Sequence, residues 1–256
     1  QVDSIMAEDI GKFPDLNLAE SLQRVPGVTI TRDAGEGRNI SVRGLGADFT
    51  RVRLNGLEAL TTTGGTDSSG GANRGRGFDF NAFASELFSQ VVVRKTPSAE
   101  IEEGSLGATV DLRTARPFDY DGFTLSAAAQ MGFNDLSQTA NPRVSGLISN
   151  TWADGKFGAL LSVAYSDREI IEEGSSTVRW DPASANGGFA NTSTLPANTF
   201  HPRIPRYGVM RHDQQRLGVT GSLQFKPSSN TLFTLDGLYS KFDATRTEDY
   251  IEAVSF

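Results

Sequence analysis

Residues 91–118 read VVVRKTPSAEIEEGSLGATVDLRTARPF. The run Val91–Val93 is β-branched and continuous, which is typical of a strand covered on both faces. Pro97 ends this strand, and Gly104 and Gly107 bracket an acidic loop whose backbone needs positive φ angles or a close approach to another segment. Beyond the loop, apolar and polar residues alternate, which predicts a second strand. Taken alone, the stretch also fits an ordinary hairpin in any α+β domain.

Together with three upstream segments, this stretch resembles the plug domain of TonB-dependent outer-membrane receptors. The segments are FPDLNLAESLQRVPGVTITRD (13–33), ISVRGLGADFTRVRLNG (40–56) and FASELFSQVVVRKTPSAE (83–100). They follow the family's order and spacing over nearly all of residues 5–118. The opening AEDIGKFPD and the form KTPSAE…EGSLGATVDLRT resemble one large branch of that family, several of whose members take up carbohydrates.

Composition narrows the class of protein. The chain has 256 residues, enough for one or two domains with a real core. A net charge of -7 argues against nucleic acid as the main partner. No run approaches the roughly 18 apolar residues of a transmembrane helix. That excludes a helical membrane protein but not a β-barrel, whose strands alternate. Nothing at Gln1 resembles a signal peptide, so we expect a mature or truncated start.

The N-terminal part alternates helix, strand and turn signals. Asn17 and Glu20 have capping-box spacing ahead of a helical apolar pattern that Pro26-Gly27 ends. Asn55-Gly56 is the commonest short hairpin signal. Strands are predicted at about residues 28–32, 39–43 and 49–54, a low-complexity loop at 61–77, and a short helix near 80–87.

From Tyr120 the pattern changes to long alternating runs, in which apolar residues face outward and polar residues inward, as in an outer-membrane barrel. The clearest runs are residues 123–133, 157–165 and 216–225. The segment 143–152 shows no clean face, and in 231–242 Leu238 falls on the otherwise polar side.

The connections between these runs differ in length. Residues 153–156 and 226–230 form tight turns, whereas residues 170–213 read as one very long loop. Barrels keep short turns on the periplasmic side and long loops outside, so the long loop is predicted to be external.

The predicted fold is an α+β plug domain at residues 1–118, followed at 119–256 by about five antiparallel transmembrane strands. The complete family barrel has about 22 strands around a plugged lumen. Because five strands cannot close, we expect the chain to be a fragment of that barrel.

The resemblance implies an active transporter in the outer membrane of a Gram-negative bacterium. Ligand binding at external loops would alter the plug's N-terminal segment, which pairs by strand addition with the periplasmic protein TonB, driven by the ExbB-ExbD complex. Pulling would then remodel the plug and open a path. The family's TonB-recognition segment precedes the plug and is not evident before Asp3. Outer-membrane lipid and a small-molecule ligand are the other implied partners, with no cofactor.

The resemblance to the carbohydrate branch predicts an oligosaccharide ligand. One alternative keeps the transporter and exchanges the cargo for an iron-siderophore or a cobalamin-type ligand. Another is a non-transporting surface module, in which the plug-like domain binds a partner and the strands form a soluble sheet.

The loop order of the plug predicts three ligand-facing apices. Their candidate residues are Arg32, Asp33, Glu36 and Arg38 in the first, Asp48, Phe49 and Arg51 in the second, and Thr62, Asp67, Asn73, Arg74 and Arg76 in the third. Trp180 and Tyr207 are further candidates, because sugar rings stack on aromatic faces. The alternative is that the aromatic residues of the long loop pack on one another over the barrel mouth.

A polar plug in a polar lumen needs its charges satisfied, so charged residues on the plug are predicted to pair with the inner wall of the barrel. The candidates are Arg43, Arg53, Arg94, Glu102, Glu103, Arg113 and Arg116.

Other chemistries have little support in the sequence. The segment GRNISVRGLGAD lacks the third glycine of a dinucleotide fingerprint. His201 and His212 have no cysteine partners, which argues against zinc. No nucleophile elbow or credible triad is present, so an enzyme is not expected. The acidic group Glu169, Glu172, Glu173 and Asp181 reads as solvated loop charge, with a calcium site as the alternative.

Overall fold

The computed structural model describes residues 2–6, 17–59, 61, 77–96, 98–99, 101–182, 196 and 198–253. The predicted loop 61–77 therefore lies outside the described residues except at its two ends, as does Pro97. Within the described part, the strands form two five-stranded sheets and two separate hairpins.

An N-terminal domain is built on the first sheet. Its elements are β1 (Val2–Met6), α1 (Leu18–Leu22), β2 (Val28–Asp33), β3 (Glu36–Val42), β4 (Thr50–Leu54), β5 (Leu57–Glu58), β6 (Phe88–Arg94) and β7 (Ala108–Thr114). The sheet has the order β1-β6-β7-β4-β5, with β4 and β7 parallel and the other neighbours antiparallel. Strands β2 and β3 form a separate hairpin.

Helix α1 begins at the predicted residue. The side chain of Asn17 accepts a hydrogen bond from the backbone N–H of Glu20 at 3.3 Å and so caps the first turn. The helix ends at Leu22, and turns continue the chain to the predicted stop at Pro26-Gly27. Both Leu18 and Leu22 are fully buried.

The prediction of a short helix near residues 80–87 is wrong. The segment forms two 3-10 turns, Phe80–Ala82 and Ser85–Leu87. Phe83 and Ala84 between them are extended. Phe80 in the first turn and Leu87 in the second are both buried in the core.

The hydrophobic core lies at the centre of the first sheet. Val91 and Val93 are fully buried on β6, with Val110 on the neighbouring β7, and Val92 is half-buried on the opposite face. The same core includes Ala164, which belongs to the second sheet. The second sheet therefore completes the core of the N-terminal domain.

The second sheet, called the wall below, is fully antiparallel. Its strands, in spatial order, are β8 (Thr124–Asn134), β9 (Thr139–Trp152), β10 (Phe157–Thr177), β13 (Pro205–Ser228) and β14 (Thr231–Glu252). Strands β11 (Trp180–Pro182) and β12 (Phe200–Pro202) form a small hairpin between β10 and β13.

The wall has one apolar face and one polar face, as the sequence predicts. Leu125 and Leu223 are exposed on the outer face, whereas Ser162 and Thr220 are buried on the inner face against the N-terminal domain. Leu238, the exception in the pattern, points inward and packs against the core of that domain. Its apolar character follows from this contact.

The predicted loop 170–213 is wrong at both ends. Strand β10 continues to Thr177 and β13 starts at Pro205, and they stay paired from Ile170↔His212 to Thr177↔Pro205. The apolar residues here are adjacent rather than alternating, as in Ile170-Ile171 and Val209-Met210, so no period-two pattern marks the strands. The backbone ladder persists because hydrogen bonding between neighbouring strands does not require an apolar face. The connection shrinks to residues 178–204.

The tight turns agree with the sequence. Asn55 and Gly56 both have positive φ angles, 49° and 91°, as a two-residue hairpin of this type requires. The connection after β9 likewise uses positive φ at Ala153, Asp154 and Gly155.

Gly158 is predicted to tolerate no side chain. A Cβ atom there would lie 2.8 Å from Pro117 Cβ and 2.9 Å from Phe118 Cε1, and the proline ring cannot rotate away. Gly158→Ala should therefore lower the free energy of unfolding by about 1–3 kcal/mol in denaturant titrations of the full-length protein in detergent. Gly146→Ala is the control, because its Cβ would meet only a carbonyl oxygen at 3.8 Å. Equal losses in both variants would contradict this assignment.

Candidate functional site between the two sheets

One buried carboxylate joins the N-terminal domain to the wall. Glu36 Oε2 lies 3.2 Å from Arg216 Nη2, and Glu36 Oε1 lies 3.3 Å from Arg168 Nη1. The side chains of Glu36 and Arg216 are only 3% and 6% exposed. We call Glu36, Arg168 and Arg216 the Glu36 cluster.

Backbone groups complete this cluster. Arg216 Nε donates to the carbonyl oxygen of Asn81 at 2.7 Å, and Arg168 Nη1 donates to that of Ala34 at 2.9 Å. Each arginine therefore bridges the carboxylate and the backbone of the N-terminal domain.

The local fold explains why Glu36 reaches the wall. Ala34 and Gly35 form the β2–β3 turn with φ angles of 52° and 68°, so the first residue of β3 sits at the hairpin tip. A Cβ on Gly35 would lie 3.1 Å from Arg168 Nη2. Glycine therefore leaves the arginine room beside the turn.

Further polar contacts join the N-terminal domain to the wall. They are Arg246–Asp33 at 3.3 Å, Arg116–Asp236 at 2.6 Å, Arg143–Glu86, Ser240 Oγ to Ala82 O at 2.6 Å, and the backbone N–H of Phe118 to Gln224 Oε1 at 2.9 Å. The interface thus combines ion pairs with the shared apolar core.

The Glu36 cluster fixes position more than it adds stability. Removing two charges from water costs most of what their attraction returns, so a buried pair contributes little net free energy. Loss of one partner is different, because it leaves an uncompensated buried charge.

Glu36→Ala is therefore expected to destabilise the docking of the N-terminal domain by about 3 kcal/mol. The measurement is denaturant unfolding together with limited proteolysis of the full-length protein. Arg32→Ala serves as the control, because Arg32 is half exposed in its pair with Glu20 and should change stability by less than about 1 kcal/mol. Similar losses in the two variants would show that Glu36 has no special role.

A second charge cluster lies within the first sheet. Asp111 Oδ1 accepts from Arg53 Nε at 2.6 Å, and Asp111 Oδ2 accepts from Arg94 Nε at 2.9 Å. Burial by itself raises the pKa of Asp111, but the hydrogen bonds from Arg53 and Arg94 outweigh it, so that the pKa lies below its usual value. The hydrogen bond to Asp111 likewise raises the pKa of Arg53.

A lowered folded-state pKa sets the direction of a pH effect. The contribution of Asp111 to stability is fully present above the unfolded-state pKa of about 3.8 and is lost as pH falls through the folded-state value. Asp111→Asn should therefore be less stable than the natural protein at neutral pH, with a difference that shrinks in strong acid. Unfolding free energies measured over that pH range test this. Asp243→Asn, in a well-exposed pair with Lys241, should change stability by less than about 1 kcal/mol; a pH-independent difference for Asp111→Asn would refute the assignment.

Most of the predicted plug–barrel residues do not touch the described wall. Arg116 does, through Asp236. The others find partners inside the N-terminal domain or are exposed, because neighbouring strands bring acidic groups and carbonyl oxygens within reach first. These are Arg43 to the carbonyl of Gly107, Arg53 and Arg94 to Asp111, Glu102 to Arg51, Arg113 to Asp119, and exposed Glu103.

Most charged residues of the first predicted ligand apex form ion pairs. Glu36 belongs to its buried cluster, where it pairs with two arginines of the wall. Arg38 bridges Asp33 at 2.6 Å and Asp79 at 2.7 Å, and Arg32 pairs with Glu20 at 2.9 Å. The sequence pattern did not predict Arg168 or Arg216 as site residues, because they lie in long polar stretches that give no sign of their partners. A signal was available for Arg216, since it belongs to the inward-facing residues of β13.

The second apex lies apart from the first. The first apex is at the start of β3, and Asp48 and Phe49 follow its far end in a 3-10 turn. Phe49 is exposed, and Arg51 lies 3.5 Å from Glu58 and 3.3 Å from Glu102. The five third-apex candidates lie outside the described residues; they are Thr62, Asp67, Asn73, Arg74 and Arg76.

An exposed aromatic surface lies on the hairpin that links β10 to β13. Trp180 pairs with Pro202 and Phe200 with Pro182, so all four side chains share one face of the hairpin. Trp180 and Phe200 are each 61% exposed. We call this face the aromatic hairpin. Tyr207, farther along the chain on β13, is also exposed.

A cavity of about 570 Å³ lies beside the Glu36 cluster. Its lining includes Glu36 from the hairpin tip and Gln130, Asn141, Arg168, Gln214 and Arg216 from the wall. We call it the lateral cavity.

The histidines take no part in a metal cluster. His212 Nε2 lies 3.2 Å from Glu172 Oε2, and His201 is buried on β12. Among the described residues no group of three or more His, Cys, Asp or Glu is placed to hold a metal ion. Across the same part of the chain, no helix is long and apolar enough to cross a membrane.

Residues 1–109 match the family model of the TonB-dependent receptor plug domain. No curated protein matches the chain. The siderophore receptor PirA from Acinetobacter baumannii superposes with a TM-score of 0.51 and 17% identity, over 96% of this chain and 44% of PirA. The ferric enterobactin receptor PfeA from Pseudomonas aeruginosa, in a mutant form bound to enterobactin, gives 0.51 and 14%, over 92% and 45%. The ferric citrate transporter FecA in its unliganded form gives 0.51 and 17%, over 94% and 40%.

The fold is therefore that of a plug domain followed by the strands of a plugged β-barrel. Residues 1–109 carry the plug domain of TonB-dependent receptors, and the strands that follow share the fold of the barrel strands in the solved receptors. The chain spans less than half of the length of the solved receptors it matches, for example 44% of PirA. The N-terminal domain is called the plug from here on, and the wall is the barrel wall.

Proposed function

We propose that the full-length protein is an active transporter that binds a scarce ligand outside the cell and imports it through the barrel when the plug moves. The observation that carries this proposal is the seating of the plug on the polar inner face of the wall through the Glu36 cluster. A plug held by specific polar contacts blocks the lumen at rest and can be released without unfolding the barrel.

The energy for release has to arrive mechanically, because the outer membrane holds no nucleotide pool or ion gradient. TonB, driven by ExbB-ExbD, is the proposed source, coupled by strand addition to a segment at the N-terminal side of the plug. In this assignment residues 1–118 form the plug and residues 119–256 the first part of the barrel.

The proposed ligand is a carbohydrate, most simply an oligosaccharide. Support comes from the aromatic hairpin, where two exposed rings lie on one face at the end of the wall opposite the tight turns. Sugar rings stack on such faces through their C–H groups, while nearby polar groups bind hydroxyls. Trp180 and Tyr207 remain the candidate ligand contacts at this end.

An iron-siderophore or cobalamin-type ligand is the second candidate. The structures of similar fold include a siderophore receptor, a ferric enterobactin receptor and a ferric citrate transporter. A non-transporting surface module is the third candidate, and a closed barrel in the full-length protein would exclude it.

Replacement of both aromatic residues, Trp180→Ala with Phe200→Ala, should weaken saccharide binding roughly tenfold, because the stacking surface is lost. Calorimetric titration of the full-length receptor with maltotriose, cellobiose and xylobiose measures this. Phe233→Ala is the matched control: it is also 61% exposed but lies at the other end of the wall, beside a tight turn.

The same titrations with ferric citrate, ferric enterobactin and cobalamin separate the candidate ligands. Tight binding of one of these, without binding of any saccharide, would replace the carbohydrate proposal by the second candidate. Induction of the gene on a single carbon source or under iron limitation gives an independent reading.

A further inference from the structure

A second cavity, of about 210 Å³, lies between the plug and the barrel wall. The plug contributes residues around the start of β6, among them Glu86 and Ser89. The wall contributes Ser126, Ser145 and Ser162 from the inner faces of β8, β9 and β10. We call it the lower cavity. It lies on three of the strands that also line the lateral cavity.

Strand register places the two cavities end to end. On β8 the lateral cavity begins at Gln130 and the lower cavity is lined by Ser126, and on β10 the corresponding residues are Ser166 and Ser162. Because inward-facing residues recur every second position, one inward position separates the cavities on each strand; on β10 it is Ala164. The lower cavity is nearer the tight turns, which barrels keep on the periplasmic side.

The ion pair between Arg143 and Glu86 stands at this boundary. Arg143, on β9, lines the lateral cavity, whereas Glu86, in the turn Ser85–Leu87, lines the lower cavity. Their side chains are 16% and 24% exposed. Arg143 Nη2 also donates a hydrogen bond to Ser85 Oγ at 2.7 Å. The pair therefore joins the wall to the plug at the level where one cavity ends and the other begins.

The plug meets β13 and β14 differently at the same level. Leu87 packs so closely on Gly218 that a Cβ atom there would clash with it, and Leu238 packs against the plug core. Opening this side would expose apolar surface to water, which is unfavourable. Separating Arg143 from Glu86 exposes two charged groups that water can solvate. The side of the plug that faces β8 and β9 is therefore the easier one to open.

We propose that a passage for a neutral hydrophilic solute runs along the β8–β10 side of the plug, from the lateral to the lower cavity, and that the Arg143–Glu86 pair closes it at rest. This inference rests on the transport function proposed above and adds the side on which the path opens. The serine hydroxyls of the lower cavity donate and accept hydrogen bonds, which suits such a solute. A plug movement that separates the pair would join the cavities and leave the apolar core intact.

The test is the passive entry of arabinose, glucose and sucrose into liposomes that carry the full-length receptor, measured as the initial rate of swelling. Glu86→Ala leaves the guanidinium of Arg143 without its carboxylate. The rate for arabinose should rise roughly tenfold, because an unpaired buried charge shifts the population towards the open arrangement. The rate should fall from arabinose to sucrose, since a narrow passage favours the smaller solute. The exchange Glu86→Arg with Arg143→Glu restores an ion pair and should restore the low rate.

Asp236→Ala is the matched control. It breaks the Arg116–Asp236 pair, which also joins the plug to the wall and is comparably buried, with side chains 25% and 16% exposed. Neither of these residues lines either cavity, so the swelling rate should equal that of the natural receptor. The melting temperature of each variant is measured first. If Glu86→Ala does not fold, Arg143→Gln replaces it, because the amide can still donate to Ser85.

Equal swelling rates for the natural receptor, Glu86→Ala and Asp236→Ala would overturn the passage. A raised rate in both variants would overturn it as well, because loosening of the whole plug would then explain the leak. A high rate in the exchanged variant would overturn the ion pair as the barrier. The proposed function is tested separately: failure of cells with an active TonB system to import any candidate ligand through the natural receptor would overturn that function and leave the swelling results unchanged.

Discussion

A charge buried between the plug and the wall has to be satisfied by its neighbours, and this constraint centres on Glu36. Its carboxylate is closed off by Arg168 and Arg216 from two strands of the wall. A pair of this kind adds little net stability but penalises any other position of the plug, because a shift would strand a buried charge. The Glu36 cluster therefore favours one position of the plug, together with the other ion pairs and the apolar contacts across the interface.

The outer and inner faces of the wall lie in different environments. Two exceptions to its alternating pattern, Leu238 and Gly158, occur where the plug contacts the inner face. Along the outer face, apolar residues follow the alternation expected of a barrel. On the inner face Leu238 is apolar because it packs on the plug core. Gly158 has no side chain because Pro117 occupies that space. Leu238 and Gly158 interrupt the alternating pattern because each of them contacts the plug.

The sequence by itself determined those features that depend on near neighbours in the chain. Asn17 caps α1, Asn55-Gly56 makes its hairpin, and Val91 lies on a buried strand, all as their local patterns predict. Alternation marked three of the five wall strands clearly, at residues 123–133, 157–165 and 216–225, and left the faces of 143–152 and 231–242 unsettled. It did not extend beyond Ile170, because the apolar residues there are adjacent rather than alternating while the backbone ladder continues.

Only the tertiary structure decided which charge meets which. Arg53 was expected to face the barrel but pairs with Asp111, which is 58 residues away in sequence and one strand away in space. Glu36 was predicted from the loop order alone, which gave no sign of its pair with Arg216 across 180 residues. A charged residue has the same sequence signature whether its partner is solvent, a neighbouring strand or the opposite wall. The choice is made by strand order, register and docking, which bring distant segments within hydrogen-bonding reach.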